Sequence, residues 1–402
     1  MSKHVLFLSA PAFGHVFPTL TIAEALARRG HRVSYATTEF FARYAEQSGV
    51  TPLVYGPALA AIPAGLSDHA DTAEIVLTCM RFYEEGLRSV DSVEALVDTT
   101  PDLIVFDPMM YGAAAVLGRK WTVPIVLTHP NLAFNDTVDW TAPRRAELLA
   151  GPHGAEAAAV ESGLQDLFLQ HGIDETLLYR PDDLALVFVP KEFQPQGDSF
   201  DDHYAFVGPC NEGTIFQGDW HPPTTDREVL FISLGTVHNA RPDFFRLFAT
   251  AFADLDWHVV VTLGGWAAED LGDLPANFEV HPWLPQLAVL EHATVFLSNG
   301  GLGGVMAAVQ QGTPLLLAPE VAEQDMDARQ VVELGLGRII ELSTTTPEAL
   351  RQAVLDLSTD EPTTARLNWM RDRVAESGGT TRAADLIETR MNTQPTTTPR
   401  HP

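Results

Sequence analysis

A histidine and an aspartate each follow a predicted strand in the first half of the chain. His15 comes shortly after the apolar run 5–9, and Asp107 ends the run 103–107. The carboxyl ends of parallel strands share one edge of a sheet, so we expect both side chains to face one cleft. A carboxylate beside an imidazole fixes its tautomer and stabilises the imidazolium that forms on proton uptake, as a general base requires. The plainer interpretation is a polar loop histidine and an aspartate that caps a helix.

The second half contains a glycine-rich turn between a predicted strand and a predicted helix. Residues 298–312 read SNGGLGGVMAAVQQG, and the free N–H groups at such a helix start attract phosphates. Ser233 and Thr236 lie in another small-residue turn after an earlier strand, and Trp283 is placed to stack on a planar base. Together these features indicate a nucleotide site. Taken alone, the glycine-rich turn is also typical of a tight strand-to-helix connection.

Several sulfur-containing and aromatic residues fall in segments of the first half that would line a substrate cavity. Such walls suit a flat or macrocyclic apolar molecule, and a histidine at the end of another strand could reach the same space. Any one of these residues could instead belong to the ordinary core. The candidates are Met80, Phe82, Met109, Met110, Tyr111, His129 and Phe134.

Strand and helix patterns alternate along the whole chain, which predicts parallel α/β sheets. The first helix pattern begins at Pro18, and a later one covers 302–311. The alternation is interrupted by 211–227, which is rich in Gly, Pro, Thr and Asp and is the predicted linker. We therefore expect one Rossmann-like domain over 1–210 and a second over 228–390, with a cleft between them. For the last helix two alternatives stay open: it belongs to the second domain or packs back on the first. Residues 391–402 are expected to be a disordered tail.

The composition and net charge of the chain exclude several classes of protein and of partner. Of 402 residues, 46% are apolar, which is enough for two or three packed domains. The net charge of −28 argues against nucleic acid and anionic membranes as partners. No apolar run is long enough for a transmembrane helix, and the start of the chain lacks a signal-peptide pattern, so we expect a cytoplasmic protein. Two cysteines, Cys79 and Cys210, cannot form a disulfide framework.

A pair of aspartates matches a loose metal-binding pattern. Asp325 and Asp327 are separated by one residue at a predicted helix start. Acidic residues are favourable there because they complement the helix dipole. We interpret the pair as helix-start charge and expect no metal site.

Six motifs of the sequence carry a family resemblance between about residue 4 and residue 390. They are FLSNGGLGG, WLPQLAVL, ISLGT, FVGPC, PEVAEQ and GGTTRAADLIE. In combination they resemble the family 1 glycosyltransferases, specifically the macrolide-type bacterial subfamily. The resemblance implies the GT-B fold, which has two facing Rossmann-like domains. It also implies inverting transfer of a sugar from a UDP- or dTDP-sugar to a hydroxyl of a hydrophobic acceptor, without a metal or a permanently bound cofactor.

The resemblance also implies roles for individual residues. His15 matches the catalytic base and Asp107 its orienting partner, with the acceptor held by the first domain. Further matches contact the nucleobase, the diphosphate and the donor sugar. They are, in that order, Trp283 and Gln286; Ser233 and Thr236; and Glu323 and Gln324.

Around the glycine-rich turn the chain departs from the family pattern. The positions implied in nucleotide binding there are Asn299, Gly301, Gly303 and Gly304. Asn299 replaces the histidine that usually contacts the diphosphate, and Ala307 replaces the glutamate that usually binds the ribose hydroxyls. Losing two or three hydrogen bonds to charged groups, at ~1.5–3 kcal/mol each, would weaken nucleotide binding by ~3–6 kcal/mol. The Asn299 amide and the backbone N–H groups remain as donors.

Three functions therefore stay open at this point. The first is sugar transfer from a nucleotide sugar with His15 as the base. The second keeps the fold and the His–Asp pair but catalyses nucleotide-independent cyclisation, isomerisation or elimination on a hydrophobic natural product. The third is a non-catalytic binding or helper protein. A monomer and a homodimer are both compatible with the sequence.

Overall fold

The computed structural model describes residues 2–55, 72–139, 141–173, 184–223, 226–235, 242–264 and 274–393. Within them the chain forms two parallel β-sheets with accompanying helices. Strands of a parallel sheet are covered on both faces, which is why they appear in sequence as nearly unbroken apolar runs. The first strand, His4–Leu8, is buried along its whole length.

The first sheet is built from strands in the first half of the chain. These are β1 His4–Leu8, β2 Arg32–Thr37, β3 Thr51–Val54, β4 Leu103–Phe106, β5 Ile125–His129, β6 Ala185–Val187 and β7 Tyr204–Phe206. Among the described residues their order is β3-β2-β1-β4-β5-β6-β7, and all neighbours are parallel. The helices of this half are α1 Phe13–Arg28, α2 Glu39–Gln47, α3 Thr72–Arg88, α4 Val90–Leu96, α5 Tyr111–Trp121, α6 Thr141–Ala150 and α7 Gly154–His171.

The second sheet repeats this arrangement. Its strands are β8 Glu228–Ser233, β9 Trp257–Thr262, β10 Phe278–His281, β11 Val295–Ser298, β12 Leu315–Leu317 and β13 Gly337–Ile339. In the part of the chain that the structure describes, their order is β10-β9-β8-β11-β12-β13, again with parallel neighbours. The helices are α8 Pro242–Phe252, α9 Gln286–Leu290, α10 Leu302–Gln311, α11 Ala322–Glu333, α12 Pro347–Ser358, α13 Glu361–Ser377 and α14 Gly379–Asn392.

Both sheets have the doubly wound strand order of a Rossmann fold, so the predicted α/β class is confirmed. In each sheet the order reverses beside the first strand, at β1 and at β8. Ligands of doubly wound sheets bind outside the carboxyl ends of the strands at this reversal. Asp107 directly follows β4 and Asn299 directly follows β11, which places each candidate group at a reversal point.

The structure corrects the predicted start of α1. The sequence pattern begins the helix at Pro18, but it begins at Phe13, so His15 lies in the first turn of α1 and not in a loop. The backbone N–H of His15 donates to the carbonyl oxygen of Ala12 at 3.0 Å. Pro18 lacks an N–H group, yet the Thr19 hydroxyl donates to the His15 carbonyl at 2.8 Å. The helix therefore continues through the proline.

Direct hydrogen bonds join the two halves. Asn211 Nδ2 donates to Gln310 Oε1 of α10 at 2.8 Å. Gln330 Nε2 of α11 donates to the carbonyl oxygen of Phe193 at 2.8 Å. Both pairs are wholly or largely buried, where a hydrogen bond is hard to replace by water. The two halves of the chain are therefore in direct, hydrogen-bonded contact.

The segment after residue 210 and the last helix both pack on α1. The Glu24 carboxylate, which is buried, accepts a 2.8 Å hydrogen bond from the backbone N–H of Thr214. From α14, Ile387 joins the buried apolar cluster of α1, and Glu388 accepts a hydrogen bond from Arg29 at 2.8 Å. These are contacts only; the domain boundaries given above stay a prediction. Among the helices of the described segments, none combines the length and hydropathy needed to cross a bilayer.

Candidate active site

His15 and Asp107 meet at the carboxyl edge of the first sheet. Nδ1 of His15 lies 2.5 Å from Oδ2 of Asp107. The other carboxylate oxygen, Oδ1, accepts a 2.9 Å hydrogen bond from the backbone N–H of Met109 and so caps the short 3₁₀ turn Pro108–Met110. Asp107 therefore contacts His15 with one carboxylate oxygen and caps the turn with the other. The cap fixes the carboxylate, and the carboxylate fixes the imidazole.

Burial and charge set the protonation of this pair. Asp107 is fully buried and the His15 side chain is 13% exposed. Burial alone would lower the pKa of His15, but the charge and the hydrogen bond of Asp107 outweigh it and raise the pKa above 6.5. Because a carboxylate accepts the hydrogen bond, Nδ1 carries the proton in the neutral imidazole. The lone pair of Nε2 then remains available to take a proton.

A carboxylate of the second half acts on the same imidazole. Glu323, in the first turn of α11, also raises the pKa of His15 through its charge. Its neighbour Gln324 is buried, and its Oε1 accepts a 3.0 Å hydrogen bond from the backbone N–H of Glu320. This bond connects the first turn of α11 with the segment before it. Residues from both sheets thus contribute to one site.

Asn299 joins the two turns predicted to form the nucleotide site. It is buried, its Nδ2 donates to the carbonyl oxygen of Leu234 at 2.8 Å, and its Oδ1 accepts from the backbone N–H of Gly301 at 3.3 Å. Gly235 has φ +82°, and a Cβ there would lie 2.7 Å from Nδ2. The amide oxygen and one amide hydrogen of Asn299 are therefore used inside the protein.

Two glycines in the first turn of α10, Gly303 and Gly304, contribute no side chains where this helix approaches α9. A Cβ at Gly303 would have no atom of the described chain within 4 Å, so this residue borders open space. A Cβ at Gly304 would lie 3.3 Å from Nε2 of Gln286, the first residue of α9. One turn further, Ala307 adds a buried methyl group. Gln286 and Ser298 are consequently polar side chains that approach this part of α10.

The tryptophan expected to stack on a base is largely exposed. The Trp283 side chain is 53% exposed, although its ring centroid lies 6.2 Å from that of Phe13 and 6.3 Å from that of Phe17. Both phenylalanines belong to α1, so this aromatic group also bridges the two halves. Ser233 ends β8 and is partly buried, whereas Thr236 lies outside the described residues.

A pocket opens beside the His–Asp pair on the first-half side. It is small and partly open to solvent. Its lining comes from the end of β1, the end of β3, α3 and the turn after Asp107, and consists of Ala10, Pro11, Tyr55, Phe82, Glu85, Gly86 and Met110. Sequence analysis named Phe82 and Met110 but missed Tyr55 and Glu85. Helical spacing from Phe82 was the available signal for Glu85.

The other candidates for the cavity lie outside this lining. Met80 packs on a small cluster between helices, and Tyr111 is buried against Phe106. The backbone of Met109 serves the Asp107 cap instead. Sequence reasoning could not separate these positions from the pocket, because all of them are apolar residues on the same helices and turns.

His129 and Phe134 pack on each other and not in the pocket lining. Their ring centroids are 5.1 Å apart, and Tyr204 stacks on the other side of His129 at 6.0 Å. Burial lowers the pKa of His129 to about 4, so the ring is neutral near pH 7. Its Nε2 has no hydrogen-bond partner in the part of the chain that the structure describes.

The two aspartates near Glu323 occupy different positions in α11. Asp325 lies in the first turn of α11 and pairs with Arg329 at 2.7 Å. Asp327, two residues on, is buried. Across the described ranges, no group of three or more His, Cys, Asp or Glu side chains is arranged to hold a metal ion.

Comparison with known proteins gives consistent full-length matches. Residues 246–388 match the family model of the erythromycin biosynthesis protein CIII-like C-terminal domain. The chain is 34% identical to the NDP-glycosyltransferase YjiC of Bacillus subtilis, covering 96% of this chain and 97% of the relative. It is 33% identical to the oleandomycin glycosyltransferase of Streptomyces antibioticus, covering 96% and 91%.

Solved structures agree. The calicheamicin glycosyltransferase CalG4 has a TM-score of 0.82 at 35% identity, covering 97% of this chain and 98% of that one. The glycosyltransferase of kitacinnamycin has a TM-score of 0.83 at 34% identity, covering 97% and 99%. The resemblance seen in the sequence motifs and the GT-B fold are thus confirmed. The chain belongs to the family 1 GT-B glycosyltransferases of macrolide type and is a glycosyltransferase.

Proposed function

We propose that this enzyme takes its sugar from a nucleoside diphosphate and joins it, with inversion, to a hydroxyl of a hydrophobic small molecule. The observation that carries the proposal is the contact of His15 with buried Asp107, at a strand-order reversal and within the electrostatic reach of Glu323. Of the three functions left open by the sequence, sugar transfer is the one that the full-length relatives support.

In this reaction Nε2 of His15 takes the proton of the acceptor hydroxyl. The acceptor oxygen then forms a bond to the anomeric carbon while the bond from that carbon to the diphosphate oxygen breaks. The nucleoside diphosphate leaves with the bonding electrons, and the proton stays on the imidazole until solvent removes it. Asp107 stabilises the imidazolium so formed, and a positioned base of this kind contributes ~10²–10⁴-fold in rate.

The donor would lie across the second sheet. The exposed face of Trp283 would stack on the base, and Gln286 would bond to it. Backbone N–H groups at the start of α10, beginning near Gly301, would meet the diphosphate. Glu323 and Gln324 would contact the hydroxyls of the transferred sugar, close to His15. The donor is therefore held chiefly by stacking and by backbone.

The acceptor would lie in the first half. Tyr55, Phe82 and Met110 give the pocket beside Asp107 an aromatic and apolar wall. Apolar area of this kind favours a hydrophobic acceptor, and the pocket places it on the same side as the base. Its hydroxyl would need to reach Nε2 of His15 for transfer.

The test is sugar transfer with matched histidine variants. The enzyme is incubated with UDP- and dTDP-sugars and a panel of hydrophobic hydroxyl compounds (a simple phenol, a flavonol and a macrolactone), and products are followed by mass spectrometry. Donor-dependent products with the wild type, reduced at least about a hundredfold in His15→Ala, are expected. His203→Ala is the control, because His203 forms an exposed pair with Asp201 at 3.1 Å. Conversion of an acceptor without any donor, or full transfer by His15→Ala, contradicts the proposal.

A further inference from the structure

The indole proposed to stack on the nucleobase contacts an aromatic ring of the first half. The ring centroid of Trp283 lies 6.2 Å from that of Phe13, with an angle of 34° between the ring planes. Phe13 is the first residue of α1 and lies two residues before His15. We propose that Phe13 is a positioning residue of the donor site, which holds Trp283 in the orientation from which the indole stacks on the base. This inference rests on the sugar-transfer function proposed above.

Other rings of the first half fix the orientation of the Phe13 ring. Four aromatic side chains of α1 and α2 lie around it, with centroids 5.2–6.3 Å away and ring planes at 75–89° to its own. Edge-to-face contacts of this kind are a favourable geometry for aromatic pairs. The four side chains are Phe17, Phe40, Phe41 and Tyr44. Trp283 approaches Phe13 from the second half with a plane closer to parallel, so Phe13 gives the indole a fixed support.

The segment after residue 210 connects the backbone near Trp283 with α1. Nε1 of Trp220 donates a 2.9 Å hydrogen bond to Oε1 of Glu279, which lies in β10. The strand β10 ends two residues before Trp283. Earlier in the same segment, the ring of Phe216 packs edge-to-face on Phe17 of α1 at 5.7 Å. The fold therefore sets the distance between α1 and the residues that carry the indole.

An exposed indole needs such a support to bind a base well. Trp283 is 53% exposed, and a side chain that is free to rotate loses this freedom when a ligand binds. Contacts that hold the side chain in its bound orientation beforehand reduce that cost. Phe13 and Phe17 contact one part of the indole, and the exposed remainder stays available for the base. Because Phe13 and His15 lie in the same turn of α1, the support of the indole and the proposed catalytic base belong to one structural unit.

The experiment is a double-mutant cycle on nucleotide binding. Isothermal titration with UDP and dTDP compares the wild type, Phe13→Ala, Trp283→Ala and the double variant, because the cycle separates a direct role of Phe13 from one exerted through Trp283. If the alanine variant does not fold, Phe13→Leu, which keeps apolar volume without a ring, takes its place in the cycle. Phe13→Tyr keeps the ring. Phe40→Ala is the matched control, because Phe40 packs on Phe13 at 5.7 Å but, within the described ranges, makes no ring contact with Trp283.

Phe13→Ala should weaken the binding of both nucleotides about three- to tenfold in Kd, as expected when one side chain of the site is no longer held in place. Phe13→Tyr and Phe40→Ala should bind like the wild type, and in the Trp283→Ala background Phe13→Ala should have no further effect. Four outcomes overturn the inference: unchanged affinity in the Phe13 variant of the cycle, an equal loss in Phe40→Ala, an equal loss in Phe13→Tyr, or a loss that persists in full without Trp283.

Sugar transfer is measured separately with the same proteins. Nucleotide binding without transfer would count against the proposed function and not against the positioning role of Phe13. Transfer by the wild type, together with unchanged nucleotide affinity in the Phe13 variant, would count against the positioning role alone. If the wild type binds neither UDP nor dTDP, both the proposed function and the positioning role are wrong.

Discussion

Nδ2 of Asn299 donates a 2.8 Å hydrogen bond to the carbonyl oxygen of Leu234, and this bond connects the turn after β8 with the turn after β11. Both turns belong to the donor side of the proposed site. Asn299 therefore stabilises the shape of the surface at which we propose that the diphosphate binds, and that surface is mainly backbone. Removing the side chain would leave a buried carbonyl without its donor, at a cost of about 1–3 kcal/mol in folding free energy. A histidine at this position would have to replace that bond as well as contact the nucleotide.

The first prediction concerns Ala307, the position at which the family resemblance implies a ribose-binding glutamate. Ala307→Glu should tighten UDP binding about tenfold or more, because a carboxylate hydrogen bond to the 2′-hydroxyl adds about 1.5–3 kcal/mol. The ligand dUDP lacks this hydroxyl and serves as the internal control in calorimetry. We expect a smaller gain for dUDP than for UDP. Unchanged affinity for both ligands in a folded variant would show that Ala307 does not face the ribose.

The second prediction concerns Asp107. Asp107→Asn can keep the cap on Met109 but loses the negative charge beside His15, so kcat/KM should fall ~10²–10⁴-fold.

In the wild type, activity should rise with pH as His15 loses its proton, with a midpoint above 6.5 because Asp107 and Glu323 raise the pKa of His15. Without Asp107, burial lowers this pKa and the midpoint should move to lower pH. Asp201→Asn, next to exposed His203, is the control and should leave the profile unchanged. A profile that stays in place in Asp107→Asn would contradict the role of the pair.

The third prediction concerns Trp283. If its exposed face binds the nucleobase, Trp283→Ala should weaken nucleoside diphosphate binding by about 1–3 kcal/mol, the range for stacking of a base on an aromatic ring. Trp283→Phe should restore most of the affinity, because a ring remains. Isothermal titration with UDP and dTDP measures both variants. Equal affinities for the wild type and the alanine variant would exclude Trp283 from the donor site.

Much of the fold followed from local patterns in the sequence. Apolar runs with turn residues located the strands, and the helix predicted over 302–311 has the same bounds in the structure. The start of α1 was wrong because Pro18 is a common first helical residue, and the bond from Thr19 that supports the preceding turn is not visible in sequence.

The candidate site was predictable to the extent that it lies at strand ends. His15 and Asp107 could be paired because the ends of parallel strands converge, and the structure brings them together. Tyr55 directly follows β3 and could have been found in the same way. Glu85 could not, since its place in the pocket depends on how α3 packs against the turn after Asp107. The structural use of Asn299 was missed for the same reason, because Leu234 is distant in sequence.

The fourth prediction concerns His129 and the stability of the fold in acid. Burial lowers its pKa to about 4, below the ordinary 6.5, so the unfolded chain binds a proton in this range before the folded protein does. Stability is therefore fully present above pH 6.5 and is lost as the pH falls towards 4, by about 2 kcal/mol at pH 5. His129→Phe keeps the ring packing with Phe134 and Tyr204 and cannot be protonated, so this contribution to acid destabilisation should disappear.

Urea unfolding at pH 7 and pH 5 measures the effect of His129→Phe. The difference in unfolding free energy between the two pH values should be about 2 kcal/mol smaller in the variant than in the wild type. Other groups, including His4, whose pKa burial also lowers, account for the remaining difference and are common to both proteins. His203→Phe replaces an exposed histidine and should retain the wild-type difference. If His129→Phe also retains the wild-type difference in unfolding free energy, the prediction is wrong. The imidazole of His129 would then take up its proton in the folded protein near its ordinary pKa of 6.5, and burial would not lower that pKa.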